Sequence, residues 1–253
     1  MQRLALASAF IVAGGAGFAA DLPPPPPAPA TYVPVVVPPY NWSGPYIGNN
    51  LGAGWAGGNW TDNLGPPHDK FTMPANAQLM GGGQIGANYE FWNGAVIGVE
   101  ADFEWAPNSN NTSNTVIPVT AGGHPTTVTL SDRWLTLLTG RLGYAWDRVL
   151  FYGKGGAAWV GASNPTITDV TTGASITPSF ANSNWGWTAG AGVEWAFWDT
   201  WSLRIEYDYI GLNGQTFTVP APGSLGFPTG TIFTGNNRNI QMANFGINYK
   251  FWH

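Results

Sequence analysis

Cysteine is absent from the 253 residues. That excludes a disulfide framework, a cysteine-based zinc site and a cysteine nucleophile. Charge is scarce: only 9% of residues are charged, Lys+Arg 9 against Asp+Glu 14, for a formal net charge of -5. With so few cations there is no basic patch and no electrostatic footprint for nucleic acid. So low a charge content also argues against a disordered polyelectrolyte and sets the chain apart from a cytosolic enzyme. The three histidines (His68, His124 and His253) are scattered and form no H-x-x-x-H pair, and no G-x-S-x-G occurs. No catalytic residue, metal site or cofactor is therefore expected. A mean hydropathy of -0.06 excludes a bundle of apolar membrane helices.

Glycine, proline and rings are abundant: Gly 35, Pro 21, Trp 14 and 14% aromatic overall. Two stretches match G-x-G-x-x-G, Gly52-Gly54-Gly57 and Gly81-Gly83-Gly86. A dinucleotide site needs a strand before the motif and a helix after it. The first motif runs into a Gly/Asn/Thr loop and the second sits inside a strand pattern, so neither predicts nucleotide binding.

The stretch from Trp185 to Ile210 is the most informative. Trp187, Ala189, Ala191, Val193 and Trp195 alternate with Thr188, Gly190, Gly192 and Glu194. After Trp198-Asp199-Thr200 the pattern resumes, with Trp201, Leu203, Ile205, Tyr207 and Tyr209 against Ser202, Arg204, Glu206 and Asp208. Period-2 alternation on both sides of a short turn predicts a hairpin. A continuous apolar face ending in aromatics suits lipid, and the charged face then turns into a narrow interior.

In chain order, residues 1–19 read as a secretory signal, with Arg3 in the n-region, an apolar run and small residues before the cut. Residues 20–41 are Pro-rich and predict an extended periplasmic segment without a core of its own. Residues 42–253 carry eight alternating segments: Trp42–Trp55, Ala77–Phe91, Ala95–Trp105, Arg133–Trp146, Val149–Gly161, Trp185–Phe197, Trp201–Ile210 and Asn239–Phe251. Each suffices for a tilted strand to cross a bilayer, which takes about 9–11 residues.

The connections alternate in length. Trp92-Asn93-Gly94, Asp147-Arg148 and Trp198-Asp199-Thr200 are tight, and Asn93-Gly94 suits a primed hairpin turn. The segments 56–76, 106–132, 162–184 and 211–238 are long loops rich in Gly, Asn, Thr and Pro. This predicts an all-β fold, an eight-stranded antiparallel up-and-down transmembrane β-barrel of the outer membrane, with both termini periplasmic.

The aromatics divide into two belts. Trp55, Trp105, Trp134, Trp159, Trp187 and Tyr209 fall at the long-loop end. Phe91, Trp146, Phe151, Phe197, Trp201, Tyr249 and Phe251 fall at the short-turn end. Two girdles at two membrane interfaces are the expectation. By the same alternation Glu90, Glu100, Asp102, Glu104, Arg141, Lys154, Glu194, Arg204, Glu206, Asp208 and Lys250 point inward. Buried charges need partners. The expected network is a polar plug, with Arg141, Lys154 and Arg204 bridging to the carboxylates. The alternative is a narrow gated channel, cation-preferring because acids outnumber bases.

Laid out this way, the chain resembles the small eight-stranded outer-membrane proteins of alphaproteobacteria, the outer-membrane immunogenic protein type, allied to opacity-type and OmpA-like barrels. The resemblance rests on NWSGPYIGNNLGAGW (Asn41–Trp55), GRLGYAWDRVLFYGKGGAAW (Gly140–Trp159), WTAGAGVEWAFWDTWSLRIEYDYI (Trp187–Ile210) and FGINYKF (Phe245–Phe251). It implies a structural and surface role in the cell envelope. The implied partners are outer-membrane lipid and lipopolysaccharide, and the barrel-assembly machinery during insertion. That machinery reads a C-terminal aromatic in such proteins; here Phe251 is followed by Trp252 and His253. Oligomeric state is not legible.

Overall fold

The structure, a computed structural model, describes residues 39–63, 70–73, 76–106, 110–113, 126–162, 164–179, 184–219 and 231–251. The signal segment 1–19 and all but the last residues of the Pro-rich segment 20–41 lie outside these.

In chain order the strands are β1 (Gly44–Asp62), β2 (Lys70–Met73), β3 (Ala77–Glu90), β4 (Ala95–Trp105), β5 (Asn110–Ser113), β6 (Thr126–Trp146) and β7 (Val149–Ala162). They continue with β8 (Thr166–Asp169), β9 (Ser175–Ile176), β10 (Trp185–Ala196), β11 (Trp201–Leu212), β12 (Gln215–Thr218) and β13 (Ile232–Lys250). Eight of them, β1, β3, β4, β6, β7, β10, β11 and β13, pair antiparallel in sequence order. β13 closes on β1 along a register from Tyr46↔Lys250 to Gly57↔Asn239. Closure leaves none of the eight with a free edge inside the barrel wall.

At the tight turns the strand ends fall within one residue of the alternation, β3 ending at Glu90 rather than Phe91 and β10 at Ala196 rather than Phe197, because the turn chemistry is local. The first turn differs in type from the expectation. A type I′ turn needs positive φ at both central residues, and only Gly94 has it, at 83°. Gly94 N donates to Phe91 O at 2.9 Å and Phe91 N to Ala95 O at 2.8 Å, so three residues form the loop. At the second turn Asp147 takes the left-handed conformation, with φ 51°. Aspartate tolerates that region better than most residues.

At the other end the strands run on past the expected limits. β1 extends to Asp62, β6 starts at Thr126 and β13 at Ile232. The long loops contribute short strands to these extensions, giving two small antiparallel sheets. One is β12-β13-β1-β2, with Phe217↔Phe233 and Trp60↔Gly235 in register. The other is β5-β6-β8-β9, with Val128↔Ile167. Trp60, Phe217 and Phe233 are buried and touch, Phe217 and Phe233 stacked at 5.2 Å. Beyond the lipid-facing belt both strand faces can be polar. Alternation then fades while backbone pairing continues, which is why Thr- and Asn-rich segments read as loop.

The outward face inverts the usual arrangement of a water-soluble protein. Ile85 is 60% exposed, and Leu142 and Ile205 are 67% exposed. These and Ile97, Val99, Leu138 and Phe245 form a continuous apolar belt around the barrel. Such a belt belongs in hydrocarbon. No helix among the described residues is long and apolar enough to cross a membrane; the strands do the crossing.

Candidate functional site

The interior is the chemically distinctive part of the molecule. Strand alternation aims Glu100 and Asp102 (β4), Arg141 (β6), Lys154 (β7), Glu194 (β10) and Arg204, Glu206 and Asp208 (β11) into the same layer, all buried. Glycines make room for them. Across the ladder Glu100 faces Gly86, Arg141 faces Gly98, Lys154 and Asp208 face Gly190, Glu206 faces Gly192, and Arg204 faces Gly246. An eight-stranded interior has just enough width for side chains to fill, so small must oppose large. A Cβ on Gly192 would sit 2.5 Å from the Tyr152 hydroxyl, and one on Gly190 2.2 Å from Asp208 Oδ1.

Arg204 is the hub. Its Nη1 lies 3.0 Å from Glu100 Oε2 and 3.4 Å from Glu206 Oε2, and its Nη2 lies 3.1 Å from Asp102 Oδ1. Lys154 Nζ sits among four carboxylates: Glu206 at 2.7 Å, Asp102 at 3.2 Å, Glu100 at 3.3 Å and Asp208 at 3.5 Å. Arg141 joins Glu100 at 3.3 Å to Glu194 at 3.0 Å. Its guanidinium also lies 3.8 Å from the Tyr152 ring centroid, within cation–π range. Glu100, Asp102 and Glu206 offer oxygens close enough together for a metal ion. Lys154 and Arg204 already supply positive charge there.

Several residues outside the expected set complete the network. Tyr46 donates to Glu100 Oε2 and Tyr152 to Glu206 Oε2, each at 2.6 Å. Ser202 donates to Glu194 Oε1 at 2.5 Å. A chain of amides joins the two sides: Asn50 donates to Glu104 at 2.6 Å and to Gln84 at 3.0 Å, Gln84 to Asn248 at 2.5 Å, and Asn248 to Glu194 at 2.7 Å. All share the inward phase of the alternation. The phase that placed the charges also places these neutral polar residues.

Three of the expected inward charges stand apart from the salt bridges. Glu104 is buried and bonded to Asn50 but has no ion pair among the described residues. Glu90 and Lys250 lie at the short-turn mouth. There Glu90 Oε2 accepts from Trp42 N at 2.7 Å, and Lys250 bonds the Asn41 carbonyl. Lys250 Nζ also sits 4.1 Å from the Tyr40 ring centroid. Burial pushes the Tyr40 hydroxyl up to about 12.

Two apolar layers bracket the ionic one. Toward the loops, Met80, Ala106, Leu135, Leu137, Val160, Ile210, Ile240 and Met242 pack together inside the barrel. Toward the short turns, Trp42 packs with Val96, Ala145, Leu150, Tyr152 and Ala196. The expected first strand began at Trp42. Instead β1 starts at Gly44 and the Tyr40–Trp42 segment folds into the mouth. Trp42 Nε1 donates to the Asp147 carbonyl at 3.0 Å, and Tyr40 N donates to Asp147 Oδ1 at 3.2 Å.

The expected belt aromatics sit on the outer face. Trp105, Trp134, Trp159 and Trp187 are exposed at the loop end, with Trp55 and Tyr209 half-buried beside them. Phe91, Trp146, Phe151, Trp201 and Phe251 are exposed at the turn end, with Phe197 and Tyr249 half-buried. Neighbours meet across strands: Trp187 and Tyr209 at 5.5 Å, Trp201 and Tyr249 at 5.0 Å.

Comparison with known proteins gives the family of the chain. The family profile "Outer membrane protein beta-barrel domain" matches residues 28–251. The chain is 30% identical over 264 residues to the 31 kDa outer-membrane immunogenic protein of Brucella melitensis biotype 1, covering 99% of this chain and 100% of that one. It is 29% identical over 216 residues to the 22 kDa outer membrane protein of Rhizobium leguminosarum bv. viciae, covering 85% and 81%. Among solved structures, the outer membrane protein OprG from Pseudomonas aeruginosa aligns with a TM-score of 0.49 at 10% identity, over 84% of this chain and 99% of that one.

Proposed function

Since the chain belongs to the outer-membrane β-barrel protein family, we propose that it works as a sealed, non-conducting barrel that holds a surface structure outside the cell. The observation that carries this is the interior, where a buried ionic layer lies between two apolar layers. Water has no continuous polar path through such a stack, and opening one would require breaking buried ion pairs. This favours the plug over the gated channel. With the lumen closed, the surface left for work is the loop end and its two small sheets. Relatives named for their immunogenicity fit a chain displayed outward.

In this reading the long loops face outward and both termini the periplasm. The aromatic belts meet the two membrane interfaces. Lipid acyl chains cover the apolar belt, lipopolysaccharide surrounds the outer rim, and the barrel-assembly machinery reads the aromatic end of β13 at Phe251. The role is non-enzymatic, since the concentrated acid–base groups are locked in the interior, away from substrate.

Absence of cysteine makes the orientation directly testable. Thr171→Cys, in the exposed β8–β9 turn, is expected to react with a membrane-impermeant maleimide on intact cells. Asn93→Cys, in the β3–β4 turn, is expected to react only after lysis. The opposite pattern contradicts the proposal.

A further inference from the structure

The ionic layer and its rim hold six carboxylates, Glu100, Asp102, Glu104, Glu194, Glu206 and Asp208, against the three cations Arg141, Lys154 and Arg204. The chain itself therefore leaves an excess of three negative charges in a closed volume. An uncompensated buried charge is not tolerated; it is neutralised or paired.

The hydrogen bonds point to where the compensation is missing. Among the described residues the hydrogen bonds of the cations go to Glu100, Asp102, Glu194 and Glu206. Asp208 has only Lys154 at 3.5 Å, already shared with three other carboxylates, and Glu104 only an amide bond from Asn50. Both oxygens of Asp208 and Glu104 Oε2 are buried without a hydrogen-bond partner. Asp208 is 0% exposed and Glu104 is 1% exposed. Asn50 Oδ1 on β1 and Asn244 Oδ1 on β13 are likewise buried acceptors without a donor. Within this layer the unsatisfied donors are the Nε atoms of Arg141 and Arg204, which belong to side chains already spent on other carboxylates. Glu206 lies on the same inward face of β11 as Asp208 and shares Lys154 with it. Lys154 Nζ, 2.7 Å from Glu206 and 3.5 Å from Asp208, is shared among four carboxylates, and one cation cannot neutralise them all.

We propose that the barrel interior takes up small cations from outside the chain when it folds, protons or a metal ion, and holds them at Asp208 and Glu104. Both carboxyl groups have a defined electrostatic setting. Asp208 is faced by Glu206 from its own strand, by Lys154 from β7 and by Asp102 from β4. Its ladder neighbours on β10 and β13 are Gly190 and Met242, neither titratable. Glu104 feels Asp102, Arg204 and Lys154, and its ladder neighbours are Gly82 and Leu135. The inference rests on the sealed interior proposed above, but its test is separate, because conductance reports closure and the folding equilibrium reports uptake.

The test is reversible urea unfolding of the full chain in phospholipid vesicles, followed by tryptophan fluorescence. One series varies pH between about 6 and 9, where unfolded carboxyl groups are ionised. A parallel series at fixed pH varies Ca²⁺ or Mg²⁺. Each proton held by the folded barrel and released on unfolding makes the folding constant fall about tenfold per pH unit. A bound metal ion makes it rise with metal concentration instead. Asp208→Asn and Glu104→Gln keep size and shape. Each is expected to remove one cation's share: a tenfold-per-unit step in the pH series if protons are held, or the metal response if an ion is. A wild-type folding constant flat in both series overturns the proposal. So does a slope or metal response that neither variant changes.

Discussion

Arg204→Ala is expected to lower the stability of the barrel by about 3–5 kcal/mol, the range for breaking a buried ion pair from one side. Arg204 is 1% exposed and reaches Glu100, Asp102 and Glu206 at once. Removing it leaves Asp102 and Glu206 with Lys154 alone and Glu100 with Lys154 and Arg141. The truncation also opens a void over Gly246, whose absent side chain is what lets Arg204 cross the lumen. The urea midpoint of the folded band in heat-modifiable electrophoresis measures the loss. Adding Glu206→Gln to Arg204→Ala is expected to recover part of it, since one stranded charge disappears with the arginine. Strict additivity of the two changes would mean that the pair is uncoupled.

The second large effect is at the short-turn mouth. Trp42→Ala is expected to cost about 3–5 kcal/mol, as for other buried tryptophans truncated to alanine. Trp42 is 3% exposed, packs on Tyr40 edge-to-face at 4.9 Å, and ties Asp147 to Glu90 through its two N–H groups. Trp42→Phe keeps most of the packing and loses the bond to the Asp147 carbonyl. The expected cost is smaller, about 1 kcal/mol for the hydrogen bond plus the unfilled volume. Urea titration of both variants beside the wild type checks the ranking. Equal stability of Trp42→Ala and wild type would show that the segment before β1 does not seal the mouth.

Legibility in the sequence followed the alternation. Where one strand face meets lipid and the other a charged interior, as in β10 and β11, register and direction could be read residue by residue. That is why Arg204, Glu206 and Asp208 could be placed inward. The rule fails where the interior is itself apolar. Leu135, Leu137, Met80 and Met242 face inward, yet hydrophobicity alone assigns such residues to lipid. Ile210 could have been found, because it continues the inward phase of Arg204, Glu206 and Asp208. The amide chain from Asn50 to Asn248 lies in the same phase, but neutral side chains give no charge signal to draw attention to them. Trp42 was hidden by its place next to a Pro-rich run, where no period exists to say that a ring turns inward. The strands of the loop end were hidden because alternation tracks a difference between two environments, and beyond the membrane the difference disappears.

The central claim is that the barrel spans the outer membrane with a closed interior. The most direct test is single-channel recording of the refolded full chain in planar bilayers. A sealed ionic layer between apolar layers predicts a membrane that stays at baseline although the barrel has inserted, as shown by its compact band in unheated gels. Stable conductance steps that change with Arg141→Ala or Arg204→Ala would contradict the account and make the ion network a gate.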